Sequence, residues 1–183
     1  MSELHRLTAT EAVRLLGRRE VSPLDLVEAA AARIEAVDGA VNALPIRFFE
    51  RARERAKAWR HDPGSLLHGL PIAVKDYNDV AGERTTYGSP IFAENVAETS
   101  DATVARLEEN GALPLAKSNV PEWAGGHTFN PVFGITRNPW DTRMSAGGSS
   151  GGAAAALASG QVWLATGNDL GGSLRTPADF NGV

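Results

Sequence analysis

The stretch Gly69-Leu70-Pro71-Ile72-Ala73-Val74-Lys75-Asp76 decides the fold class. Its short apolar run, bounded by turn residues, suits a buried strand ending at Lys75. Downstream, Thr99 to Asn110 reads as a capped helix closed by Gly111, and Ala112 to Lys117 as the next strand. A helix over Gly151–Gly160 and a strand over Gln161–Thr166 follow. Strands alternating with helices argue for an α/β architecture with a mixed, largely parallel sheet flanked by helices.

Upstream the period is helical. Thr8-Ala9-Thr10-Glu11 is a capping-box pattern, and Ser22-Pro23-Leu24-Asp25 offers an N-cap, a proline at the first helical position and an acid in the first turn. Val27, Ala31, Ile34 and Val37 recur on one face until Asp38-Gly39, where the run is expected to stop. A third helix spans Phe48 to Trp59, with its arginines on a solvated surface. Residues 1–62 therefore form an N-terminal helical layer on an α/β core of residues 63–183, one domain overall.

Charge falls away along the chain. Residues 1–62 carry 21 charged side chains, whereas residues 144–183 carry only Asp169, Arg175 and Asp179 together with nine of the 19 glycines. In so uncharged a segment Asp169 and Arg175 are the obvious pair. The net charge of −4 disfavours a phosphate-coating nucleic-acid binder. Without cysteine there is no disulfide framework, thiolate zinc site or cysteine nucleophile. The first 30 residues lack an apolar signal region, and no run approaches the ~20 apolar residues of a membrane span, so a cytoplasmic protein is expected.

Two glycine-rich loops, Gly147-Gly148-Ser149-Ser150-Gly151-Gly152 and Gly167-Asn168-Asp169-Leu170-Gly171-Gly172-Ser173, can aim backbone N–H groups inward, as an anion cradle or an oxyanion hole, or can be plain tight turns. Neither carries the lysine of a P-loop or the G-x-G-x-x-G of a dinucleotide site. Gly147-x-Ser149-x-Gly151 matches a nucleophile elbow, but His5, His61, His68 and His127 all precede it, so the acid-then-histidine order fails within this chain. A serine nucleophile then needs another base, and lysine is the common substitute. Of the three lysines, Lys57 sits among arginines. Lys75 and Lys117 each end a strand, Lys75 being the stronger candidate because desolvation there favours the neutral amine. The bland alternative for Lys75 is a salt bridge to its neighbour Asp76.

Together, the 69–76 stretch, the Gly-Gly-Ser-Ser-Gly-Gly loop and Asp169-Leu170-Gly171-Gly172-Ser173-Leu174-Arg175 resemble the amidase signature family, with the two serines 24 positions apart as in that family. Thr99–Asp101, Gly111-Ala112, Lys117-Ser118-Asn119 and Asn138-Pro139-Trp140 add to the likeness. The resemblance implies a catalytic trio of Lys75, Ser149 and Ser173. In it Ser173 is the nucleophile, and Ser149, in a cis peptide, shuttles protons to neutral Lys75. It also implies an oxyanion hole at the N–H groups of Leu170, Gly171, Gly172 and Ser173, with Ser150, Asp169 and Arg175 supporting the loops. Trp123 and Ser149 would border the substrate, although Trp123 could equally be a core aromatic. His127 reads as a hydrogen-bonded loop residue. Asn168 departs from the Thr or Ser usual in the family, which points away from its transamidating subunits.

The implied activity is hydrolysis of a small-molecule amide through an acyl-serine, with ester or carbamate cleavage open and no cofactor or metal. The alternatives are the amidase subunit of a glutamine-dependent tRNA amidotransferase and a non-catalytic fragment. A homodimer stays open. Family members are typically more than twice as long, so a missing C-terminal half is expected in cis or in trans, and residues 1–183 alone are expected to aggregate and to be inactive.

Overall fold

The computed structural model describes residues 3–183. Its front half follows the capping chemistry. Thr8 and Ser22 each close a full capping box, with Glu11 and Asp25, and start helices α1 (Ala9–Gly17) and α2 (Pro23–Val41). In α2 the residues Leu26, Val27, Ala30, Ala31, Ile34 and Val41 are buried, as a 3.6-residue period requires.

The helix does not stop at Asp38-Gly39. Asp38 is buried and its carboxylate accepts the N–H groups of Ala43 (2.6 Å) and Leu44 (3.2 Å) and the Arg47 guanidinium (2.8 Å). It therefore anchors the chain beyond the helix, and Asn42, in the left-handed region, ends it.

A short strand β1 (Ile46–Arg47) leads into α3 (Phe49–Ala58). The arginines of α3 are not simply solvated: Arg53 grips Glu28 of α2 with two hydrogen bonds, and Arg51 reaches Glu83. Arg55 pairs with Glu108 of α4 (Ala102–Glu109). That helix begins three residues later than expected, because Ser100 and Asp101 spend their side chains on the backbone of Ala81 and Asp79.

The sheet centres on β2 (Leu70–Lys75) and β3 (Ala112–Ser118), which run parallel with Leu70 opposite Ala112 and Lys75 opposite Ser118. β1 pairs antiparallel with the other edge of β3, so residues 46–47 join the sheet from within the largely helical front. Every residue of β2 and β3 is buried, as for a sheet covered on both faces. The expected strand Gln161–Thr166 is reduced to a single parallel bridge, Ala73 to Ala165, held by Ala73 N–H to Leu164 and Thr166 N–H to Ala73. A separate ribbon pairs β4 (Phe129–Asn130) with β5 (Gly134–Ile135). The core unites Leu26, Ile34, Leu70, Ile72, Leu113 and Leu115, all below 2% exposed.

Helix α5 (Gly151–Ala158) is built only of glycine, alanine and one leucine and lies almost wholly buried. The last helix, α6 (Arg175–Asn181), packs against it. Two long-range ties fasten this back half to the front: the Trp163 indole donates to the Leu4 carbonyl (3.2 Å) and Arg33 Nε to that of Ser159 (2.8 Å). Among the described residues no helix is long and apolar enough to cross a membrane.

The small residues of α5 set a sharp packing limit. A Cβ at Gly152 would stand 2.4 Å from the Asn119 nitrogen and 2.6 Å from its carbonyl oxygen, whereas one at Gly39 in α2 would meet nothing. Gly152→Ala is expected to lower unfolding free energy by about 1–3 kcal/mol or more. Gly39→Ala should raise it by about 0.5–1 kcal/mol. Denaturant titrations of both variants check this pair of opposite signs.

Candidate active site

Lys75 ends β2 with its side chain fully buried. Its Nζ donates to Ser149 Oγ (2.8 Å), to Ser150 Oγ (2.9 Å) and to Asn168 Oδ1. Its backbone N–H donates to Thr166 Oγ1 (2.8 Å), which locks the strand end to the segment leading into the second glycine loop. Burial pushes the Lys75 ammonium down to about 8, against an upward pull from the Asp169 carboxylate.

The first glycine loop arrives beneath Lys75 by close backbone approach. A Cβ at Gly148 would stand 2.1 Å from the Gly126 carbonyl oxygen, so this position accepts only glycine. The Gly148–Ser149 peptide is cis. Thr128 N–H donates to the Gly147 carbonyl (2.9 Å), and Thr128 Oγ1 accepts the Gly151 N–H (3.0 Å) at the start of α5. Segment 125–128 therefore forms one wall of the site, and His127 spends Nδ1 on the Ser145 hydroxyl (2.8 Å) as a loop contact.

The second loop is closed by charge. Arg175 holds Asp169 through Nε (3.0 Å) and Nη2 (2.9 Å), and the carboxylate also accepts the N–H groups of Gly172 (2.7 Å), Leu174 (3.1 Å) and Arg175 (3.2 Å). The Arg175 guanidinium and these backbone donors hold the Asp169 carboxyl well below the usual carboxylate range. One of the four N–H groups expected at an oxyanion hole, that of Gly172, is thus already committed to Asp169. Leu170 stands fully exposed on the same turn.

Lys75 and Ser149 are brought into direct contact, and Ser150 joins them. Ser173 meets the group through its backbone, its carbonyl accepting the Ser150 N–H (3.1 Å). The Ser173 hydroxyl has no hydrogen-bond partner among the described residues. Trp123 is not a core aromatic. It is 50% exposed, in a left-handed backbone conformation, stacked on Tyr87 at 5.6 Å with Phe92 edge-on at 5.4 Å.

The second strand-end lysine is compensated differently. Lys117 is fully buried and donates to the Asn78 carbonyl (2.6 Å) and Thr85 Oγ1 (2.7 Å), with Asp76 Oδ1 at 3.3 Å. Asp76 also accepts from the N–H and hydroxyl of Thr86. The salt bridge envisaged between Asp76 and Lys75 is therefore absent. Successive strand side chains point to opposite faces, which turns Asp76 away from its sequence neighbour. Burial pushes the Lys117 ammonium down and the Asp76 carboxyl up, each restrained by the other's charge.

Three contacts of Lys75 are not written in the sequence, those to Ser150, Asn168 and Thr166; the only signal was that Asn168 breaks the family pattern. Among the described residues no group of three His, Asp or Glu side chains could hold a metal ion.

Removing Lys117 would leave Asp76 buried without its cation. Lys117→Met is expected to cost about 3–5 kcal/mol of stability at neutral pH. The deficit should narrow on acidification, because protonating the buried carboxyl removes the charge that burial penalises. Urea unfolding at neutral and acid pH measures both the loss and its sign. Loss that is unchanged by pH would contradict it.

The family model described as Amidase matches residues 25–183. A curated relative from Moorella thermoacetica, a subunit of its Glutamyl-tRNA(Gln) amidotransferase, is 46% identical over 187 residues, covering 99% of this chain and 38% of the relative. Among solved structures, a bacterial aryl acylamidase of the amidase signature enzymes superposes with a TM-score of 0.90 at 35% identity, over 97% of this chain and 38% of that one. A 6-aminohexanoate cyclic dimer hydrolase complexed with substrate gives 0.88 at 33% identity, over 97% and 36%. The chain thus spans well under half the length of these relatives. With its glycine loops, buried strand-end lysine and this match over most of its length, the chain belongs to the amidase signature family.

Proposed function

We propose that this chain carries the reacting groups of an amide-bond hydrolase that works through an acyl-serine. The observation that carries the reading is the contact between Lys75 Nζ and Ser149 Oγ, made inside a buried shell that contains hydroxyl and amide acceptors but no carboxylate in contact. A lysine near pKa 8 has a large neutral fraction at mildly alkaline pH and can accept a proton there.

Ser173 is the nucleophile in this reading. Its hydroxyl attacks the amide carbonyl, and its proton passes through Ser149 to the Lys75 amine. The resulting oxyanion lies against free N–H groups of the turn Leu170, Gly171 and Ser173, each such donor being worth ~10²–10³ in rate. Protonated Lys75 returns the proton through Ser149 to the departing nitrogen, which leaves as an amine or ammonia. Water then attacks the acyl-serine along the same relay and releases the carboxylate. Asp169 and Arg175 hold the turn in shape, and Trp123 flanks the approach.

A second reading is supported by the similarity to amidotransferase subunits: the same trio would hydrolyse glutamine and deliver ammonia to partner chains. Glutaminase activity that emerges only with added partner chains would favour it.

A fluorophosphonate probe followed by peptide mapping is expected to place the adduct on Ser173, and an adduct on Ser149 would reverse the two serines. Lys75→Ala should lower kcat/KM by ~10²–10⁴ or more, with Lys117→Ala read alongside for any change beyond its stability loss. In the parent enzyme kcat/KM should rise with pH through about 8 and then level, since the neutral amine is the active form.

A further inference from the structure

The three acceptors around Lys75 differ in what they permit. Ser149 and Ser150 carry hydroxyls, which can donate or accept. Asn168 presents its carbonyl oxygen, which can only accept. We infer that Asn168 is a positioning residue for the proton relay: by always claiming an N–H of Lys75, it turns the lone pair of the neutral amine toward the pair Ser149 and Ser150.

The argument is one of counting donors. As an ammonium, Lys75 has three N–H bonds and donates to all three neighbours. As a neutral amine it has two N–H bonds and one lone pair. The bond to Asn168 must remain a donation, so the lone pair is left to Ser149 or Ser150. Ser150 caps the start of α5 with its own N–H tied to the Ser173 carbonyl, and Ser149 is its neighbour on the same loop. A lone pair fixed on the serine pair is one that can take a proton without the side chain first rotating. Without Asn168 the amine would turn freely among its positions, and a misaligned acceptor can cost ~10²-fold.

Neutrality matters as much as geometry. Every charged group near Lys75 is already engaged elsewhere: Asp76 by Lys117 and Thr86, and Asp169 by Arg175 and three backbone N–H groups. The remaining neighbour, Tyr77, offers its ring face 6.0 Å from Nζ. An aspartate at position 168 would place a carboxylate in contact and hold the lysine protonated. Asparagine supplies the acceptor without the charge. Asn168 is itself exposed, so its replacement leaves the core untouched.

This inference rests on the hydrolase reading for its kinetic arm and on Lys75 alone for its spectroscopic arm. Residues 1–183 hold three lysines, Lys57, Lys75 and Lys117, and 13Cε-lysine NMR follows the Lys75 titration once the signal lost in Lys75→Arg has assigned it. Asn168→Leu should lower kcat by ~10–10²-fold at every pH with little change in KM, because orientation is lost whatever the protonation state. It should also move the Lys75 titration downward, since an acceptor for the ammonium is gone. Asn168→Asp keeps the acceptor, so kcat should fall near neutrality and recover at alkaline pH, with the titration midpoint moved up by about 1–3 pH units. Unchanged kcat and unchanged Lys75 titration in Asn168→Leu would overturn the inference, as would an Asn168→Asp titration that does not move. Should the parent protein cleave no amide, the hydrolase reading falls, and the two NMR titrations alone decide the role of Asn168.

Discussion

Two buried lysines at the ends of neighbouring strands are the constraint around which this fold is arranged. Lys75 and Lys117 stand at the carboxyl ends of neighbouring parallel strands, both wholly removed from water. A buried charge must be paired or must give up its proton. The two lysines take the two different solutions. Lys117 receives a carboxylate, a carbonyl and a hydroxyl, and becomes a fixed structural cation. Lys75 receives only neutral acceptors, and burial lowers its hold on the proton. A single carboxylate at Asp76 separates the two fates by facing one lysine and turning its back on the other.

The position of the pair follows from the sheet. In open α/β sheets, sites form outside the carboxyl ends of the strands, where loops can converge without interrupting the ladder. Here β2 ends at Lys75, β3 ends at Ser118, and the bridged segment beyond β2 passes Thr166 before entering the second glycine loop. Helix α5 supplies the fourth side. Its small residues let Gly152 sit against the Asn119 backbone, which brings Ser149 and Ser150 under the lysine. Larger side chains there would lift both serines out of reach.

Much of this was legible in the sequence, and the exceptions share a cause. The capping boxes at Thr8 and Ser22, the strands at 70–75 and near 112–117, and the pairing of Asp169 with Arg175 are local features, written within a few residues of each other. The run of α2 through Asp38 was not, because what extends the helix is the burial of that carboxylate against Ala43, Leu44 and Arg47. The pairing of Asp76 with Lys117 depends on strand register, which no spacing along one segment reveals. The strand expected over 161–166 has the right composition, yet it meets the sheet through a single bridge at Ala165. The contact from Lys75 to Asn168 joins positions 93 residues apart, and the sequence marked it only as a departure from a family pattern.

The tie between the Trp163 indole and the Leu4 carbonyl has a kinetic meaning. It spans 159 positions, and the Lys75 shell spans 74 to 93. Contacts so remote along the chain require large loops to close before they return any stabilisation, which slows folding. A chain emerging from the ribosome can form α1 and α2 early, yet the Lys75 amine has no partners until residues 149–168 have arrived and docked. The same wiring makes the Lys75 shell a late-forming and cooperative unit, so partial unfolding of the back half should dissolve it before the central strands let go.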